Sequence, residues 1–193
     1  SSDLYPCEYI YSDGNAYIDT GYKHNNNTRV QMKAQAVGAI TGNVFLFDGP
    51  NADGTRKGVF YQVSKNSWAV DYAKSTARQY LSAGANDVLE IDFDKNVCTV
   101  NGETKTFTAS SFQSTVNLTL LCSNYGDTPQ AFTKAKLYHC AIWDNDVLIR
   151  YYVPCFDAIM GTFGLYDTKN NVFYSSASDI DFKGKLIVPA GYS

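Results

Sequence analysis

The chain has 193 residues, 45% apolar and 18% charged, with a formal net charge of −3 and an isoelectric point near 5.3. That length supports one domain with a sizeable core. The acidic balance and the lack of any basic run exclude a nucleic-acid binder held by a basic surface, and no stretch approaches the ~20 apolar residues of a membrane-spanning helix.

Aromatic residues make up 15% of the chain, including 15 Tyr and 11 Phe, so side chains that suit pleated surfaces dominate. The first clear element is NTRVQMKAQAV (27–37). Val30, Met32, Ala34 and Ala36 fall on one face, and Arg29, Gln31, Lys33 and Gln35 on the other, as in a strand with one wet side. The polar HNNNT (24–28) before it reads as a loop. NVFLFD (43–48), GVFYQV (58–63) and SWAVDY (67–72) are the next strands, with a longer loop at Gly49-Pro50 and Asp53-Gly54. DVLEIDF (87–93), VCTV (97–100) and ETKTF (103–107) follow. Asn101-Gly102 between the last two is a strong hairpin signal, because both central residues of such a turn take positive φ. ASSFQ (109–113) is expected to form one short helical turn. VNLTLLC (116–122), KAKLYHCAIWD (134–144), VLIRYYVP (147–154), GLYD (164–167) and NVFY (171–174) complete the series, with turns at Asp144-Asn145-Asp146 and Lys169-Asn170-Asn171. About a dozen strands with short connections predict an all-β fold, a sandwich or barrel of antiparallel sheets, in a single domain spanning 1–193. Cys7, Cys98, Cys122, Cys140 and Cys155 form no CxxC pair, which argues against structural zinc. They read as small buried apolar residues, with one bridge left open. The first residue, Ser1, fits removal of an export signal and equally a trimmed chain.

Several stretches, taken together and in order, resemble the concanavalin A-like, laminin-G-type jelly-roll modules of bacterial surface and phage proteins. They are AYIDTGYKHNNNTRVQM, IDFDKNVCTVNGE, KLYHCAIWDNDVLIRYYVPCFD and GLYDTKNNVFYSS. The resemblance spans residues 9–182 and is least distinctive over 38–86. It departs from the pattern after the final Phe-Tyr, where SSASDIDF stands in place of a small Gly-containing turn. It implies two antiparallel sheets stacked face to face, one of them concave. It further implies a glycan-binding or adhesive role in a secreted or cell-surface protein, beside other domains of a larger assembly. Fold does not fix function, so that role is an analogy.

Glucanases of the laminarinase and lichenase type share that jelly roll and carry paired carboxylates on one strand. Glu90, Asp92 and Asp94 share a face in the same way. Here the third acid is the shorter Asp, and Lys95-Asn96 turns the chain at once, so a solvated acidic face is expected and no catalysis. Neither His24 nor His139 sits in a nucleophile motif, and no phosphate loop or HExxH is present. Sugar recognition commonly stacks an aromatic ring on a pyranose beside polar groups. Two clusters offer this, Trp68, Asp71 and Tyr72 on a strand, and Asn124, Tyr125 and Asp127 in a loop, although Trp68, Val70 and Tyr72 equally read as core. No cofactor is expected; the oxygen ligands Asp48, Asn51 and Asp53 are the one set that would suit calcium. Trp143 reads as packing, and Arg150 as the partner of a carboxylate anchoring the last hairpin. The expected function is non-catalytic carbohydrate binding. The alternatives are an adhesive or structural protein-interaction domain and, third, a glycoside hydrolase.

Overall fold

The computed structural model describes residues 3–188. In chain order the strands are β1 Leu4–Asp13, β2 Ile18–Asp19, β3 Thr28–Ala36, β4 Val44–Asp48, β5 Arg56–Gln62, β6 Ser67–Ala73, β7 Gln79–Tyr80, β8 Val88–Asp94 and β9 Val97–Val100. They continue as β10 Glu103–Thr106, β11 Thr119–Leu120, β12 Ser123–Tyr125, β13 Thr128–Gln130, β14 Lys134–Asp144, β15 Val147–Asp157, β16 Thr162–Asp167, β17 Val172–Tyr174 and β18 Lys183–Leu186. Among the described residues helix is confined to two 3₁₀ turns, Val63–Lys65 and Ser75–Ala77, and no helix is long and apolar enough to cross a membrane.

The larger sheet runs β10-β9-β8-β3-β14-β1-β15-β16-β17, with β18 added along β1. The smaller runs β2-β11-β4-β5-β6-β7, and β12 and β13 form a separate hairpin. All pairings are antiparallel. One hydrophobic cluster joins the two large sheets, so the molecule is a β-sandwich.

Period-2 patterning decides what enters that cluster. In β3, Val30, Met32, Ala34 and Ala36 are buried while the residues between them are half-exposed. Leu89, Ile91 and Phe93 of β8 oppose them, and Trp68, Val70 and Tyr72 of β6 come from the other sheet. Phe93 stands at the centre, with ring centroids 6.5 Å from Phe47, 6.4 Å from Tyr72 and 6.2 Å from Phe107. Offset and tilted aromatic pairs of this kind add to the area they bury. Two of the four bulges among the described residues bear on what faces outward. One between Phe45 and Phe47 turns both Leu46 and Phe47 into the core and returns Asp48 to the outer face. One between Leu137 and His139 leaves Tyr138 and His139, adjacent in sequence, both half-exposed.

The turns expected at 101–102, 144–146 and 169–171 all contain positive-φ residues: Asn101 and Gly102, Asn145 and Asp146, and Asn171. The helical turn expected at 109–113 does not form. Tyr72 Oη donates to the Ser110 carbonyl and accepts from the Ser110 N–H, Asn26 Oδ1 accepts from the Phe112 N–H, and Gln113 bridges Asn25. These ties hold the segment extended across the mouth of the sandwich. Only Thr119–Leu120 of VNLTLLC is strand, and all five cysteines are buried free thiols, so no bridge forms among them.

Lys57 of β5 is 1% exposed and points between the sheets. Its Nζ donates to the Thr28 carbonyl and lies 4.4 Å from the centroid of Phe93. With no carboxylate against it, burial drives its pKa down to about 7, which the more distant Cys98 and Asp94 only partly oppose. The unfolded chain therefore binds more protons than the native one between pH 7 and the ordinary lysine value near 10.5, and native Lys57 weakens the fold as pH falls through that window. The Thr28 carbonyl keeps a second donor, the Lys95 N–H at 3.1 Å. Lys57→Met is accordingly expected to be more stable than the parent near pH 7, with the gap closing at about 1.4 kcal/mol per pH unit as pH rises. Buried thiols destabilise both proteins above about pH 8.5, so the quantity to measure is the difference between the two in chemical denaturation at matched pH.

Candidate ligand-binding groove

The two outer faces of the sandwich carry different chemistry. On the smaller sheet, Phe45 and Phe60 stack with centroids 4.7 Å apart, and guanidinium groups cover them: Arg56 at 5.2 Å from Phe45 and Arg78 at 4.6 Å from Phe60. Buried Asp71 accepts two bonds from Arg78, 2.6 Å at Nε and 2.8 Å at Nη2, and one from Arg56 at 3.4 Å. Buried Asp48 lies 3.1 Å from Arg56 Nε, unaligned for a hydrogen bond, and accepts 2.7 Å from Ser123 Oγ. Burial raises the Asp48 carboxyl to about 6 against the pull of Arg56, Ser123 and the Gly49 N–H. Gly58 makes room for this carboxylate, since a Cβ there would lie 3.1 Å from Asp48 Oδ1. The face is a closed, charge-matched lid.

The outer face of the larger sheet is open. Register sets its rows: Asp94, Arg29 and Trp143; Asp92, Gln31, Ala141 and Tyr151; Glu90, Lys33 and His139. An open groove of about 600 Å³ runs over them, lined by Gln31, Lys33, Glu90, Asp92, Thr99 and His139 among others. A second hollow of about 640 Å³ adjoins it, sharing Lys33, Glu90 and Asn101 and ending on Tyr138. Arg29 holds Asp92 through two bonds of 2.9 and 2.8 Å while its guanidinium lies 4.7 Å from the Trp143 ring, and Gln31 donates to the same carboxylate at 3.3 Å. Burial raises the Asp92 carboxyl, but these bonds outweigh it and hold the group below its ordinary value, ionised. Glu90, with a side chain 72% exposed, has only a loose pairing to Lys33 at 3.9 Å. His139 packs edge-on to Tyr151 at 5.0 Å, and burial lowers its pKa, so it is neutral at neutral pH.

Several residues singled out in the sequence lie elsewhere. Trp68 and Tyr72 point inward, 0% and 2% exposed, with Trp68 Nε1 donating to the Gly84 carbonyl, so neither ring presents a face to a sugar. Asp71, between them, points outward but is sealed by the arginines. Asn124, Tyr125 and Asp127 do come together on the β12–β13 hairpin. Asn124 is buried, donating to the Asn117 carbonyl at 2.9 Å and Asp127 at 3.4 Å, while Tyr125 stands 47% exposed. The calcium set does not converge: Asp48 is turned to Ser123 and Arg56, Asn51 accepts from the Thr115 N–H, and Asp53 accepts from the Thr55 N–H. Among the described residues no group of three His, Cys, Asp or Glu side chains is placed to hold a metal ion. Arg150 donates to the Thr20 and Ile149 carbonyls rather than to a carboxylate. The basic and amide half of the groove was legible only as the wet side of RVQMKAQ; that it faces the acidic strand follows from the β3–β8 pairing.

Fold and groove together define an all-β antiparallel sandwich with one closed and one open outer face. No protein-family model matches the sequence, and no curated protein does.

Arg78→Ala would leave buried Asp71 with a single distant cation. Breaking a buried pair from one side is expected to remove about 3 kcal/mol of stability, measurable by urea denaturation. An unchanged midpoint would mean that the lid contributes nothing to the fold.

Proposed function

We propose that this chain is a non-catalytic carbohydrate-binding module of a secreted or cell-surface protein, built as a concanavalin A-like jelly roll. One observation carries this: the open double hollow across β9, β8, β3 and β14, where the Tyr138 ring lies beside the polar side chains of Lys33, Glu90 and Asn101. A ring for an apolar sugar face, next to donors and acceptors for hydroxyls, is the combination a polysaccharide requires. The hollows are open and contiguous, as an extended chain ligand would need. The absence of catalysis draws support from Asp92, whose double bond to Arg29 commits it as an anion and denies it the proton that a glycosidic acid must supply. The remaining carboxylate on that face of β8, Asp94, is four residues from Glu90 and does not line the groove.

A second function, adhesion to protein within a larger surface assembly, is favoured by the turn between β15 and β16, where Ile159 is 77% and Met160 62% exposed. The two separate cleanly. On a glycan array the parent protein is expected to bind a saccharide, and Tyr138→Ala to lose roughly tenfold in affinity with its thermal midpoint preserved, the size expected for one aromatic contact. Silence across the array, or release of reducing ends that Glu90→Gln abolishes, would contradict the proposal.

A further inference from the structure

Beside the groove, at its Tyr138 end, lies a cluster that the hydroxyl-binding side chains leave unexplained. Tyr9 of β1 and Tyr138 of β14 meet edge to face with centroids 5.5 Å apart. Three ammonium groups surround this pair. Lys33 Nζ is 5.3 Å from the Tyr138 ring, and Lys136 Nζ is 4.9 Å from the Tyr9 ring. Lys185 is the register partner of Tyr9 on β18. The carboxylates available to them are few. Lys185 meets Glu8 at 3.0 Å, Lys33 meets Glu90 only at 3.9 Å, and Lys136 has no carboxylate within 4 Å among the described residues. In a chain of net charge −3, this is a local excess of positive charge at the end of a groove with one acidic wall.

The outer face is therefore bipolar. β8 presents Glu90, Asp92 and Asp94, while Lys33 of β3 lies over the Tyr138 ring, Lys136 of β14 lies over the Tyr9 ring, and Lys185 of β18 stands beside Tyr9. A uniformly anionic polymer such as a nucleic acid would meet the β8 carboxylates along its length, at an energetic cost. A ligand that combines neutral hydroxyls with isolated anionic groups meets neither problem. Its hydroxyls can face Gln31, Glu90 and Thr99, and a carboxylate or sulfate can take charge-assisted bonds from the lysines that lie over the tyrosine rings.

We propose that the ligand of this groove is an acidic saccharide, whose anionic substituent lies against Lys33, Lys136 and Lys185 at the Tyr9–Tyr138 pair. This rests on the carbohydrate-binding function proposed above. An array of matched glycans tests it, with uronic-acid oligosaccharides beside the same oligosaccharides carboxyl-reduced to the neutral alcohol, and with sulfated glycans and single-stranded oligonucleotides as further probes. Acidic forms are expected to bind roughly tenfold tighter than their reduced partners, as one charge-assisted contact would give. That preference is expected to shrink with added salt. Lys136→Ala is expected to erase the preference while retaining residual binding to the neutral form, and Lys136→Arg to keep it. Neutral forms binding as well as acidic ones, or a Lys136→Ala variant with the preference intact, would overturn the acidic-ligand assignment and leave sugar binding standing. Oligonucleotides binding tighter than any saccharide would also overturn it. No binding to any saccharide would remove the carbohydrate-binding function itself, and this assignment with it.

Discussion

The structure depends on the burial of two inward-facing rows of side chains against each other. Because the strand period is two, committing Val30, Met32 and Ala34, or Leu89, Ile91 and Phe93, to that interior commits the residues between them to the opposite face. Arg29, Gln31 and Lys33 thus line up beside Glu90, Asp92 and Asp94 as a by-product of core packing. A one-residue slip of β8 against β3 would bury the carboxylates under Phe47 and Tyr72, and the aromatic cluster around Phe93 penalises it.

Charge is handled in two ways on the two outer faces. On the smaller sheet, Asp48 and Asp71 are buried and matched by Arg56 and Arg78, and the planar guanidinium groups lie over Phe45 and Phe60. That arrangement commits both carboxylates to arginines and covers the Phe45 and Phe60 rings. On the larger sheet the pairing is partial: Asp92 is matched by Arg29, Glu90 and Lys33 meet only at 3.9 Å, and Lys136 has no carboxylate within 4 Å among the described residues. Incompletely matched polar groups around an accessible ring are where a ligand can contribute interactions that the protein does not make with itself. Lys57 is the exception inside the core, a cation held by one carbonyl and one aromatic ring. Its depressed pKa measures what its burial costs the fold.

Most of the strand content was legible in the sequence, because alternation and turn chemistry are local. RVQMKAQA, LEIDF and the Asn101-Gly102 turn announce themselves within ten residues. An all-β antiparallel fold, sandwich or barrel, follows from them. What stayed hidden was non-local or irregular. β1 and β18 carry weak alternation and gain their place by pairing with β14, β15 and each other. The bulge in β14 that leaves both Tyr138 and His139 half-exposed depends on its partner strand, so KLYHCAIW reads as simple alternation. In the sequence Trp68 and Tyr72 are open to two readings, core or sugar platform, and the sheet pairing places them in the core. Asp71, on the other side, is matched by arginines that only the folded sheet brings to it. The groove itself required the pairing of two strands some sixty positions apart, so its acidic wall was visible and its basic wall was not recognised as facing it.

Titration of an isotopically labelled sample with a binding oligosaccharide, followed through backbone amide shifts, tests the central claim most directly. The account predicts that perturbations cluster at Gln31, Lys33, Glu90, Thr99, Tyr138 and His139 on the larger sheet, and leave Asp71 and Arg78 on the smaller sheet unmoved. Perturbations centred on the smaller sheet, or on the β12–β13 hairpin around Tyr125, would contradict it.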